Sequence, residues 1–190
     1  MYLNIYLKLK NNKENFLIIL LFFLSFFARI PIILFFGDIT LDNEWGSLLY
    51  NLKNHNTLSL QKFGEFLLPN LWMPPLYAYY LYLLSFLNLE YQNYVLLVLY
   101  SQALLASISV LIFYKLNKIF FHKKISFYSS LLLSFFPLYV FACSQISSIS
   151  LQSFFGITFF YFYFLFTEKK NFSSIIYLSI VAGFLILLRG

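Results

Sequence analysis

The stretch GDITLDNEWGSLLYNLKNHNTLS, residues 37–59, holds Asp38, Asp42 and Glu44, three of the seven acidic residues in a chain of 190. It follows directly on an apolar run. A carboxylate held at a membrane surface can take a proton from an acceptor hydroxyl as general base. It can also hold a divalent metal. Asp42 and Glu44 suit either task, within reach of a headgroup phosphate. A structural reading stands beside these: Asp at a helix start is a common N-cap, and Glu in a first turn favours the helix dipole. One residue can be both cap and base.

The cations offer a second set of candidates. Arg29 lies inside the first apolar run, FFARIPIIL, where a charge costs roughly 2.5–3.5 kcal/mol on insertion scales. It can snorkel outward, bind a phosphate, or pair with the carboxylates. Arg189, at the end of the last apolar run, has the same readings. Gln152, in SQISSISLQSFF, either lines a cavity or packs helices through its polar side chain. Arg29, Gln152 and Arg189 are thus candidate substrate-binding residues. His55 and His122 stand alone, so a zinc site of the usual Cys/His spacing is absent. Cys143 is the only cysteine, which rules out an intrachain disulfide.

Those side chains must be positioned by membrane helices. The composition is 61% hydrophobic and only 11% charged, against roughly 25% charged in soluble domains. The net charge of +6 does not point to nucleic acid, because the lysines cluster between apolar runs, the pattern that sets membrane orientation. The first run, from Phe16 to Phe36, is too long for a signal-peptide core and no small-residue cleavage site follows. It is read as a retained helix.

Five segments, 16–36, 94–114, 125–142, 151–167 and 172–188, have the length and apolarity to span the bilayer. The runs lack the period-2 alternation of strands. The expected fold is therefore an all-α polytopic transmembrane protein, a single domain over 1–190. A sixth stretch, MPPLYAYYLYLLSFL at 73–87, is decided by charge. Lys8/Lys10/Lys13, Lys115/Lys118/Lys123/Lys124 and Lys169/Lys170 share one side only if an even number of spans separates each pair. Segment 73–87 then lies in the interface, opened by Pro74-Pro75, with Tyr77, Tyr79, Tyr80 and Tyr82 half wet. Residues 37–72 form the first extracytoplasmic loop, the N-terminus is cytoplasmic, and Asn54 and Asn70 face outward. Within that loop Leu41, Trp45, Leu48, Leu49 and Leu52 recur on one helical face. Asn43, Glu44, Ser47, Asn51 and Asn54 hold the other. This predicts an amphipathic helix lying on the outer surface, apolar side toward lipid, with Asp42 at its start.

Taken in order, these segments resemble the N-terminal part of the type-C glycosyltransferases, and most of all the bacterial dolichyl-phosphate-mannose/aminoarabinose-transferase-like group. The resemblance rests on LDNEWGSLLYNLKNHNTLS, PNLWMPPLYAYYLYLLSFL, VLIFYKLNKIFFHKK, SFYSSLLLSFFPLYVFACSQISSISLQSFF and GFLILLRG. It implies transfer of a sugar from a polyprenyl-phosphate donor on the extracytoplasmic side of the plasma membrane, usually with inversion. Asp42 becomes the catalytic base and Glu44 its companion. Gln152 stands where many members carry glutamate. Membrane lipid and the lipid-linked donor are the implied partners, with a divalent metal as an optional cofactor. The family's ten or more spans imply a longer protein, so a C-terminal remainder or partner chain is expected to complete the donor cavity. Two other classes compete: a non-catalytic membrane subunit whose loop helix docks a partner, and a polysaccharide flippase or polymerase. The latter favours repeated halves and charges near the midplane, and the sequence shows no repeat and only Arg29 inside.

Overall fold

A computed structural model describes residues 2–63, 66–69, 73–170 and 172–189, with side chains described for 14–60, 67–69, 73–168, 170 and 172–189. The described residues are almost wholly helical. In chain order they form α1 (Tyr2–Phe36), α2 (Glu44–His55), β1 (Gln61–Phe63), β2 (Phe66–Leu68), α3 (Pro75–Ser85), α4 (Tyr91–Phe120), α5 (Lys123–Ser134), α6 (Pro137–Phe141), α7 (Ile149–Lys169) and α8 (Phe172–Arg189).

Among the described residues four helices are long and apolar enough to cross a membrane: Glu14–Phe36, Tyr91–Phe120, Ile149–Glu168 and Phe172–Arg189. The pair Lys123–Ser134 and Pro137–Ser144, bent by 56° at its break, is together apolar enough for a broken fifth span or a re-entrant loop. The chain is thus a polytopic helical membrane protein. The bend follows from Pro137, which lacks an N–H and pushes the residue before it out of the helical region. Phe136 accordingly has ψ 117°. Reading 125–142 as one straight segment missed this break.

α4 is the hub, packing on α1, α3, α5 and α7. Its buried seam includes Ala103, Ala106, Ser107 and Ser109, small residues that let neighbouring helices approach closely. α1 shows the converse on its other side. Phe16, Ile19, Phe23, Phe27 and Leu34 are all exposed, the apolar stripe a lipid-facing helix presents.

The two ends of the bundle differ in charge. At one end Glu14 pairs with Lys118 and also lies 3.9 Å from Lys123. The Phe120 ring meets Phe164 edge-on at 4.7 Å. The basic turn after α4 and the far end of α7 therefore share this end. The side chains of Lys8, Lys10, Lys13 and Lys169 lie outside the described residues. At the opposite, acidic end, Gln145 donates to the Phe36 carbonyl at 3.2 Å and the Tyr91 hydroxyl accepts from Leu41 N–H at 2.7 Å.

α3 has 11 residues, about 16 Å of helix, and does not span. Pro75 opens it without losing a bond, since a first-turn N–H has no partner inside the helix. Its tyrosines are not uniformly half wet: Tyr77 is fully buried while Tyr79 is 46% exposed. The antiparallel pair of β1 and β2 lies in the loop read as extracytoplasmic, where no strand was expected.

Candidate functional site

α2 forms because an amphipathic run follows a competent cap. That cap is Asn43. Its side-chain oxygen accepts from the N–H groups of Trp45 at 3.1 Å and Gly46 at 3.4 Å. Asp42 is therefore not the cap, which corrects the structural reading of that residue by one position. The far end of α2 closes on Asn56, in the left-handed region at φ 52°, where asparagine is tolerated.

The apolar face of α2 is as the periodicity implies, but it meets protein rather than lipid. Leu41, Trp45, Leu48, Leu49 and Leu52 are all buried in the core. The Trp45 and Tyr77 rings meet edge-on at 4.6 Å across the contact with α3. Burial, followed by the charges of Tyr80, Tyr94 and Asp38, pushes the Tyr77 hydroxyl well above its usual pKa. It stays neutral and donates to the Gln102 side-chain oxygen at 3.2 Å. Asn51, assigned above to the wet face, is likewise buried. Its amide donates to the Ser59 carbonyl at 2.8 Å, tying down the strand that follows.

The segment before α2 is clamped to the turn between α6 and α7. The backbone N–H of Asp38 donates to the Ser144 carbonyl at 2.9 Å. The Asp38 carboxylate accepts from Ile146 N–H at 2.7 Å, and the Asn43 amide donates to the Ile146 carbonyl at 3.3 Å. Gln102 adds a bond to the Gln145 carbonyl at 3.1 Å. Asp38 is thus a structural carboxylate.

Asp42 is left exposed between these anchors and makes no hydrogen bond or ion pair among the described residues. It lines an open cavity of about 490 Å³ with Leu41, Asn43, Gly46, Ser47, Tyr50, Asn51 and Leu60. Gly46 is required here: an added Cβ would lie 1.8 Å from the Leu41 carbonyl oxygen. Chemically, the cavity offers a free carboxylate flanked by hydroxyl and amide groups. It is a place for a ligand that donates hydrogen bonds.

The other candidates do not converge on it. Glu44 is exposed in the first turn of α2 and is not among the cavity walls. Gln152 donates to the Ser148 hydroxyl at 2.8 Å and to the Leu188 carbonyl at 3.2 Å. Its amide therefore ties the start of α7 to the end of α8, the packing alternative weighed above. Arg189 is exposed beside that contact. Arg29 neither snorkels nor pairs with a carboxylate among the described residues, being fully buried between α1, α5 and α6. Among the described residues no three His, Cys, Asp or Glu side chains group to hold a metal.

The cavity residues Ser47 and Asn51 stand at i+4 and i+8 from Asn43, and Tyr50 completes the same stripe at i+7. Tyr50 escaped notice because an aromatic residue on a polar face reads as interfacial. Fold and site together define a helical membrane protein with a carboxylate-bearing polar cavity at one end. No family model matches this chain, and no curated protein or solved structure matches it.

Proposed function

We propose that the chain carries the acceptor-activating part of a membrane glycosyltransferase that uses a polyprenyl-phosphate sugar donor, as the type-C resemblance implies. The observation that carries the reading is the state of Asp42. It is exposed in a polar cavity, while the neighbouring Asn43 performs the capping that would otherwise explain a carboxylate there.

In this reading an acceptor hydroxyl enters the cavity and donates its proton to the Asp42 carboxylate. Its oxygen attacks the anomeric carbon from the face opposite the phosphate. The bond from that carbon to the phosphate oxygen breaks, its electron pair leaves with polyprenyl phosphate, and the sugar inverts. Ser47, Asn51 and Tyr50 border the acceptor, and Glu44, two residues beyond Asp42, adds negative potential outside the cavity walls. Arg189, exposed at the same end, is free for donor contacts, while Gln152 holds α7 to α8 there. The positive-inside pattern supports reading this end as outside the plasma membrane, with the N-terminus in the cytoplasm. The docking-subunit alternative is less well supported, because the apolar face of α2 already packs within the chain.

The test is donor dependence. Membranes from cells expressing the full open reading frame are given a radiolabelled polyprenyl-phosphate sugar. Label should pass to a polymeric or lipid acceptor well above a vector control. Equal incorporation in both would sink the proposal.

A further inference from the structure

Arg29 is the largest fully buried side chain among the described residues, and it stands in a spanning helix. Its position is seven residues before the end of α1 at Phe36, about 10 Å below that end. One nitrogen is fully engaged. Nη1 donates to the Ser25 carbonyl at 2.5 Å, the Ser25 hydroxyl at 2.7 Å and the Ser134 carbonyl at 3.4 Å. The guanidinium carbon lies 5.0 Å from the centre of the Tyr139 ring. These contacts fix the plane of the group against the last turn of α5 and against α6.

The remaining edge has no protein partner. Nε and Nη2 are both buried with no hydrogen bond among the described residues. That pair of nitrogens is the side-on edge of the guanidinium, whose parallel N–H groups match the two oxygens of a carboxylate or phosphate. An arginine does not shed its proton in a protein, and a buried charge without a counter-charge is costly. Arg29 is not itself a wall of the neighbouring crevice, but residues next to it are. An apolar crevice of about 420 Å³ is lined by Ala28, Ile32 and Phe36 of α1 and by Phe135, Pro137, Val140 and Phe141 at the break between α5 and α6. Ala28 and Ile32 flank Arg29 on its own helix, and Val140 follows Tyr139 on the other.

We propose that Arg29 and this crevice form a site for a single-chain anionic amphiphile, its oxyanion head on the Nε/Nη2 edge and its tail in the crevice. Charge complementarity names the head, and the apolar lining within the bilayer names the tail. Access runs through the break, where the Phe135 and Phe136 N–H groups donate to the Leu132 and Leu133 carbonyls at 3.3 Å and the Phe136 carbonyl accepts from Val140 N–H at 3.0 Å. The site is independent of the sugar-transfer reading and stands or falls separately.

The test uses the purified chain in dodecyl maltoside at pH 8, with oleate, oleyl alcohol and acetate as probes. Binding is read by native mass spectrometry and by the rise in Tm. Oleate should bind at least about tenfold more tightly than either control, the scale of one charge-assisted hydrogen bond. Arg29→Lys keeps the charge but loses the two-pronged edge, and should weaken oleate at least about tenfold. Ile32→Trp, which fills the crevice, should weaken oleate as well. Equal binding of oleyl alcohol would remove the oxyanion claim, and equal protection by acetate would remove the tail. Unchanged oleate affinity in Arg29→Lys would overturn the site. Should that variant fail to fold, the comparison of oleate with oleyl alcohol on the natural chain still decides.

Discussion

Asn43 should carry stability that Asp42 does not, and the difference can be worked from the bonds. Asn43→Ala removes the cap on Trp45 and Gly46 N–H, about 1 kcal/mol in typical proteins. It also removes the bond to the Ile146 carbonyl, roughly 1 kcal/mol more. The expected loss is about 2 kcal/mol. Asn43→Ser keeps a capping oxygen but cannot reach Ile146 as a donor, so about half that loss should remain. Asp42→Ala removes no bond and should stay within about 0.5 kcal/mol. Unfolding in mixed micelles of rising SDS fraction, followed by Trp45 fluorescence in a Trp72→Phe background, gives all three values. The Trp45–Tyr77 contact makes that signal sensitive to the seating of α2. A loss in Asp42→Ala equal to that in Asn43→Ala would refute the assignment of the cap.

Three further outcomes follow from the same geometry. Gly46→Ala forces a Cβ onto the Leu41 carbonyl and should cost at least about 2 kcal/mol, measured by the same unfolding. Asn51→Asp deletes the donor to Ser59 and sets a buried carboxylate against that carbonyl. It should therefore destabilise by about 2 kcal/mol or more, where a wet-face residue would have shown no effect. In a Cys143→Ser background, a cysteine at Asn54 should react with an impermeant reagent added outside the cell, and one at Lys118 should not. Reaction at 118 from outside would invert the topology.

The spans were legible because hydrocarbon thickness fixes a length and composition reveals it. Runs read at 94–114 and 172–188 became helices at Tyr91–Phe120 and Phe172–Arg189. Pattern also gave the apolar face of α2, residue by residue. It could not say what that face meets, since lipid and a neighbouring helix select the same leucines. The cap slipped by one position because Asp and Asn are near-equal caps and stand adjacent in LDNEW; geometry alone separates them. Arg29 shows the same limit. Its cost in an apolar run was plain, but Ser25, Ser134 and Tyr139 come from distant parts of the chain, and no local spacing announces them. Of the two readings open for Gln152, cavity lining and helix packing, its bonds fit the second, and its partner, the Leu188 carbonyl, is a backbone group that carries no sequence mark.

The most direct test of the central claim is the rate of sugar transfer by Asp42→Asn in the full-length product of the reading frame. The substitution preserves size and hydrogen-bonding shape but cannot accept the acceptor's proton. With Asn43 as cap, its unfolding should match that of the natural protein. Transfer from polyprenyl-phosphate sugar should fall by about 10² to 10⁴-fold, the contribution of a positioned general base. Near-normal transfer by a normally folded Asp42→Asn protein would contradict the account, and would leave Asp42 an exposed carboxylate without a part in the chemistry.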